Sequence, residues 1–263
     1  MNKIFNTADR QDAFDYILSV AMECSKIVSL VQVGSGAIGY HDEYSDLDYV
    51  VALDSNESMP EVMEYMRQKI SKKFDLAYFT QVKTKPLQVF LLKNLLEIDI
   101  GYGEYEHAAA LKPAFKVIYD KTGVVEEKMI RSREWMDDSL FGDKQKIDTE
   151  LACNSVWARL MHAALAIYRG NYFRAFGELE HARNLYIDLL GDRYRLETAL
   201  NRETDRLPKK EKSEIISTFV TGLSSSELWN SLEKLTGLIY KELEDCNIPV
   251  SYEMLNAYYE KLR

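Results

Sequence analysis

The stretch VSLVQVGSGAIGYHDEYSDLDYVVALD, Val28 to Asp54, carries two patterns at once. Gly34, Gly36 and Gly39 spell GxGxxG after an apolar run, the spacing of a turn that opens a helix beneath a dinucleotide pyrophosphate. The same glycines precede Ser45-Asp46-Leu47-Asp48, where two carboxylates flank one leucine as a second apolar run begins. The first pattern demands a crossover helix and a parallel strand. The second demands neither.

Spacing favours the second. A crossover to a parallel strand takes a dozen or more residues, and only Tyr40 to Ser45 separate the last glycine from the aspartates. Asp54 does lie about 20 residues beyond Gly34, where an acid would meet a ribose, yet no regular strand–helix alternation follows. Read as a strand start, Asp46 and Asp48 project from one face, about 6.6 Å apart along the chain. Two hard oxygen donors so spaced suit one or two divalent cations, which stand roughly 3.5–4 Å apart in two-metal sites. Asp99, in Leu96-Glu97-Ile98-Asp99-Ile100-Gly101, has apolar neighbours on the opposite face and is placed to complete the ligand set. Three acids pointing one way repel one another unless a cation lies among them. Gly34 and Ser35 can set backbone N–H groups and a hydroxyl against a triphosphate.

Outward from this stretch, the first half reads as α/β. Asp12 to Cys24 has helical spacing, Val28–Val33 and Leu47–Leu53 read as strands, and Pro60 marks a helix first turn. Leu76–Val82, Gln88–Leu92 and Leu95–Gly101 read as three further strands, the last two joined through Lys93-Asn94 as a tight hairpin. The second half reads as all helix: Thr149–Tyr168, Tyr172–Leu190, Pro208–Phe219, Ser224–Cys246 and Ser251–Leu262. Gly170-Asn171, Gly191-Asp192 and Arg206-Leu207-Pro208 supply the breaks. Ser224 and Glu227 have capping-box spacing. The expected partition is 1–145, a mixed-sheet domain, and 146–263, a helical bundle.

Composition narrows the classes. The 263 residues are 46% hydrophobic and 29% charged, ordinary for a globular chain. No apolar run reaches the roughly 18–20 residues of a membrane span, and the N-terminus shows no signal-peptide core. Cys24, Cys153 and Cys246 are isolated, which points to reduced thiols and a cytoplasmic protein. A net charge of −9 argues against a general nucleic-acid binder and suits a cationic small partner.

The motif residues Val33-Gly34-Ser35, Gly39, Ser45-Asp46-Leu47-Asp48 and Asp99 together resemble the nucleotidyltransferase superfamily related to DNA polymerase β. The resemblance covers roughly residues 28–101. With the helical second half it is similar to the antibiotic nucleotidyltransferases, those acting on lincosamides and aminoglycosides. Phe115–Glu127 resembles the segment closing the first domain, and Met161–Leu190 the two core helices of the second.

The resemblance implies Mg²⁺-dependent transfer of a nucleoside monophosphate from a triphosphate, ATP first, to a hydroxyl of a small molecule, an aminoglycoside or lincosamide, with pyrophosphate released. It implies two Mg²⁺ ions on Asp46 and Asp48, with Asp99 as third ligand or as base, and the triphosphate on Gly34, Ser35 and Ser45. Glu104, Glu178 and Tyr172 are the candidates for the acceptor, and a homodimer is implied by the dimers of relatives. Gly36, after Ser35, departs from the loop's usual bulkier or basic residue. Glu97, His41 and His107 lie near the expected cleft, and Lys83, Lys85 and Lys93 are possible phosphate contacts. His162, His181, Tyr168, Phe173 and Phe176 are expected to pack between helices. Three other readings stay open: nucleotidylation of a protein hydroxyl, a nucleotide-binding regulator without turnover, and a dinucleotide-dependent oxidoreductase.

Overall fold

The computed structural model describes residues 4–82, 84–110, 114–139, 149–245 and 247–263. Lys83, Cys246 and the expected boundary at 145/146 lie outside the described residues. The chain divides into two compact units, Met1–Leu140 and Phe141–Arg263.

The first unit is built on a six-stranded mixed sheet. Its strands are β1 (Ile27–Gln32), β2 (Leu47–Leu53), β3 (Leu76–Gln81), β4 (Leu87–Leu92), β5 (Glu97–Glu104) and β6 (Lys116–Asp120), in the spatial order β3-β4-β5-β2-β1-β6. β2 and β5 run parallel, and every other neighbouring pair is antiparallel. β1 is buried along its whole length, as its valine-rich run implies. Helices α1 (Thr7–Glu23) and α2 (Met59–Lys73) cover one face. There Ile17, Met66 and Ile70 meet Leu47, Tyr49, Val51, Ile98 and Ile100 in one apolar core. Helix α3 (Val124–Ser139) lies on the other face, with Val125 and Met129 against Val28, Val31 and Ala52.

Several local outcomes differ from the sequence reading. Helix α1 begins five residues earlier than expected, because Asn6 caps it: its Oδ1 accepts from the Ala8 and Asp9 N–H groups, and Asp9 accepts from the Asn6 N–H. The β4–β5 hairpin is not closed by Lys93-Asn94 alone. Leu95 donates to the Leu92 carbonyl, Leu92 donates to that of Leu96, and Leu95 takes φ 72°. That is a three-residue loop ending in a left-handed position, with leucine where glycine is usual. Strand β6 had no place in the sequence reading, although Lys116–Asp120 pairs antiparallel with β1 at the sheet edge.

The second unit is helical: α4 (Thr149–Tyr168), α5 (Tyr172–Tyr194), α6 (Lys209–Ser217), α7 (Ser225–Glu242) and α8 (Tyr252–Leu262). Ser224 and Glu227 form the expected capping box at the start of α7. The stripe Trp229, Leu232, Leu235 and Ile239 is buried against α4, α5 and α8, so it is core. Gly191 does not break α5. It lies inside the helix, where a Cβ would stand 2.6 Å from Thr198 Cγ2. His162 and His181 are exposed, as are Tyr168, Phe173 and Phe176, so none of these five packs between helices as expected.

Among the described residues no helix is long and apolar enough to cross a membrane. Cys24 is a free thiol, and Cys153 is buried.

Candidate functional site

The parallel pairing of β2 with β5 creates the site. Its register sets Asp48 opposite Asp99. Leu47, Tyr49, Ile98 and Ile100 point into the core, so alternation sends both aspartates to the other face. The adjacent turn reaches the same place from β1. Val33 N–H donates to the Asp48 carbonyl at 3.0 Å. Gly34 to Ile38 then form a short 3₁₀ turn, entered at Gly34 with φ 62° and left at Gly39 with φ 94°.

Each glycine of GxGxxG has its own local reason. A Cβ on Gly34 would stand 2.1 Å from Asp48 Oδ2, so this backbone lies flush against the carboxylate. A Cβ on Gly36 would stand 2.3 Å from Gln32 Nε2, which explains why no bulkier residue follows Ser35. Gly39 needs its left-handed φ alone. The chain then returns antiparallel beside β1, with no crossover helix. The dinucleotide-turn reading is thereby excluded, because that turn requires a βαβ unit.

Two polar atoms here are buried without a hydrogen-bond partner: Asp99 Oδ1 and Ser35 Oγ. Orphans of this kind are rare and call for an explanation. Burial, followed by the charges of Glu97, Asp48 and Asp46, pushes the Asp99 carboxyl up to about 6. Asp99 therefore feels all three neighbouring acids, including Asp46.

The fit to a metal is narrower than the sequence suggested. Among the described residues, no three His, Cys, Asp or Glu side chains stand close enough to hold an ion as a set. Asp46 is exposed at the end of the loop, whereas Asp48 and Asp99 face each other across the ladder. A raised carboxyl with an orphaned oxygen, beside a second carboxylate and a backbone pressed against it, is still a donor set that a hard cation would satisfy.

The other expected residues fall in several places. Ser45 Oγ lies 3.4 Å from Asp42 Oδ1. Glu104 ends β5 on the face opposite Asp99, about 17 Å further along the strand, where it accepts from Asn56 Nδ2 at 2.7 Å and meets His107. The structure thus separates Glu104 from the aspartates. In the second unit Glu178 is largely buried beside Arg159 Nη1 at 3.2 Å, with Arg174 and His162 close by. Tyr172 is half-buried against the helical core. Lys93 pairs with Asp75, and Glu97 and His41 are exposed.

The sequence reading missed Arg10, and it passed over Gln32 and assigned no role to Tyr40. Gln32 Nε2 donates to the Tyr40 hydroxyl at 2.7 Å, and the Arg10 guanidinium lies 3.8 Å above the Tyr40 ring. No spacing rule links Arg10 to residues thirty positions away. A non-glycine residue after a glycine turn was the available signal for Tyr40.

No protein-family model matches the chain, and no curated protein matches its sequence. Among solved structures it is similar to an aminoglycoside 6-adenyltransferase from Bacillus subtilis, with 14% identity over 96% of this chain and 98% of that one and a TM-score of 0.44. A nucleotidyltransferase-like protein from Exiguobacterium sibiricum matches at 10% identity over 96% and 86%, also with a TM-score of 0.44. A terminal uridylyl transferase from Trypanosoma brucei matches at 12% identity over 92% and 71%, with a TM-score of 0.33. Likenesses this distant speak to neither activity nor substrate. The functional reading rests on the chain's own residues.

Proposed function

We propose that this chain is a Mg²⁺-dependent nucleotidyltransferase that moves a nucleoside monophosphate from ATP to a hydroxyl of a small molecule, an aminoglycoside or a lincosamide. The observation that carries the reading is Asp48 set opposite Asp99 on parallel strands, with Gly34 pressed against the Asp48 carboxylate. Asp48 and Asp99 would hold Mg²⁺, and Asp46, exposed at the end of the loop before β2, would add a third carboxylate only by moving toward them. When bound, the cation would neutralise charge on the phosphates.

The remaining roles belong to this chain's own groups. Backbone N–H groups of the turn from Gly34, together with the otherwise unpartnered Ser35 hydroxyl, would hold the triphosphate. The acceptor hydroxyl oxygen would attack the α-phosphorus, the bond from that phosphorus to the bridging oxygen would break, and pyrophosphate would leave. The hydroxyl proton would pass to the Asp99 carboxylate, which stands opposite Asp48 across the parallel ladder. Catalysis of this kind is mainly positioning and charge stabilisation.

The test is pyrophosphate release with Mg²⁺ and ATP or GTP across a panel of aminoglycosides and lincosamides, comparing wild type with Asp48→Asn. Acceptor-dependent release that disappears in the variant is expected. Metal-dependent triphosphate binding without release would move the acceptor to another class, such as a protein hydroxyl. Failure to bind any triphosphate would overturn the reading.

A further inference from the structure

We infer that Arg10, on α1, is a positioning residue that holds the chain between the glycine turn and β2 on the course that delivers Asp46 and Asp48. The inference rests on the functional reading above, which gives those aspartates their role.

Arg10 is only 7% exposed. A guanidinium leaves water at high cost unless other groups replace its hydration. Here Nη1 donates to the carbonyl of Asp42 at 3.0 Å and to that of Ser45 at 3.1 Å, while the flat face of the group covers the Tyr40 ring. These contacts fall at both ends of the connection. The Ser45 carbonyl belongs to the peptide plane that also contains the Asp46 nitrogen, so fixing that oxygen fixes the plane from which Asp46 departs.

Within the connection the Tyr44 N–H donates to Asp42 Oδ1 at 2.8 Å, a contact that ties the loop only to itself. His41, Asp42, Glu43 and Tyr44 are all exposed. Tyr40 sits at φ 65°, a region that a bulky residue occupies only when its surroundings impose it. What imposes it is visible: its N–H donates to the Ser35 carbonyl at 2.8 Å, its hydroxyl accepts from Gln32, and its ring lies under Arg10. Gln32 in turn packs against Gly36. Arg10 therefore ties α1 to the glycine turn through Tyr40 and to the aspartates through Ser45. Lysine would keep the charge but lose the planar group that reaches two carbonyls while covering a ring.

The test uses the full chain in two measurements: amide hydrogen exchange of the metal-free protein, and Mn²⁺ titration followed by loss of the free-ion paramagnetic resonance signal. In Arg10→Lys, exchange over residues 40–46 should quicken about tenfold and the Mn²⁺ dissociation constant should rise about tenfold, the scale of one charged hydrogen bond. Protection in β1 and β5 should not change. Tyr40→Leu, a milder change, should move both quantities the same way by about threefold and serves if Arg10→Lys does not fold. Unchanged exchange, loosening spread evenly through the sheet, or a looser loop with unaltered Mn²⁺ affinity would each overturn the inference. If wild type bound no Mn²⁺ while the variant loop loosened, the functional reading would fall and Arg10 would be a loop anchor with nothing to position.

Discussion

Asp99 combines an orphaned oxygen with a raised carboxyl, and both follow from half-burial beside other acids. Because the fold raises its pKa above the ordinary value near 3.9, the folded state favours the protonated form. The stability this confers is complete below that value and is lost as pH rises through about 6. In a chelating buffer, wild type should therefore lose Tm relative to Asp99→Asn between about pH 4 and 6.5. A difference of about 2–4 °C is expected, kept small because half-exposed charges are screened. Adding Mg²⁺ at pH 7.5 should raise the wild-type Tm and leave that of the variant unmoved; equal shifts would remove Asp99 from the metal site. Gly34 makes a sharper case. Gly34→Ala meets both a left-handed φ and the Asp48 carboxylate. The backbone term costs about 1–2 kcal/mol, which the sheet can absorb, but the carboxylate must move. The variant should keep its far-ultraviolet circular dichroism while its pyrophosphate release falls at least about a hundredfold, in the range seen when a positioned group is displaced by about 1 Å.

Between elements, the β4–β5 hairpin carries strain that a single substitution can relieve. Leu95 occupies a left-handed position and is 56% exposed, so its side chain contributes little packing. Leu95→Gly should stabilise the first unit by about 1 kcal/mol, less what glycine adds to unfolded-state entropy, read as a higher urea midpoint with an unchanged m-value. The same hairpin marks where the sequence stopped being readable. Two apolar runs and a polar pair between them identify a hairpin, but loop length depends on which backbone groups pair, and Leu95 carries no turn signature. Strand β6 was hidden for a related reason. It is short, sits at an edge, and pairs with β1, nearly ninety positions away, through a bulge. By contrast, the period-2 alternation around Asp48 and Asp99 placed both on one face correctly, because alternation is local. Their mutual register was not local: it required a parallel pairing across α2, β3 and β4. Arg10 was illegible for the same reason, since its partners gather only when α1 packs beside the loop. The capping box at Ser224 was legible because a three-residue spacing is complete within one helix.

At the scale of the whole chain, net charge makes a claim that no single residue makes. With 42 acids against 33 lysines and arginines, the protein carries −9 and surrounds itself with a field that draws in cations. That field reaches about 30 Å at 10 mM salt but only about 8 Å at 150 mM. An aminoglycoside carries several amines and a lincosamide one, so the two proposed acceptor classes should respond differently to salt. For an aminoglycoside acceptor, kcat/KM should fall about tenfold or more between roughly 20 and 300 mM KCl, with kcat nearly constant, because steering acts on encounter and not on chemistry. For a lincosamide the fall should stay within about twofold. Measuring both at fixed Mg²⁺ and saturating nucleotide isolates the acceptor. A steep dependence confined to the polyamine would assign the acidic surplus to substrate capture. Equal and shallow dependences would leave it as a property of the surface, with acceptor choice resting on short-range contacts.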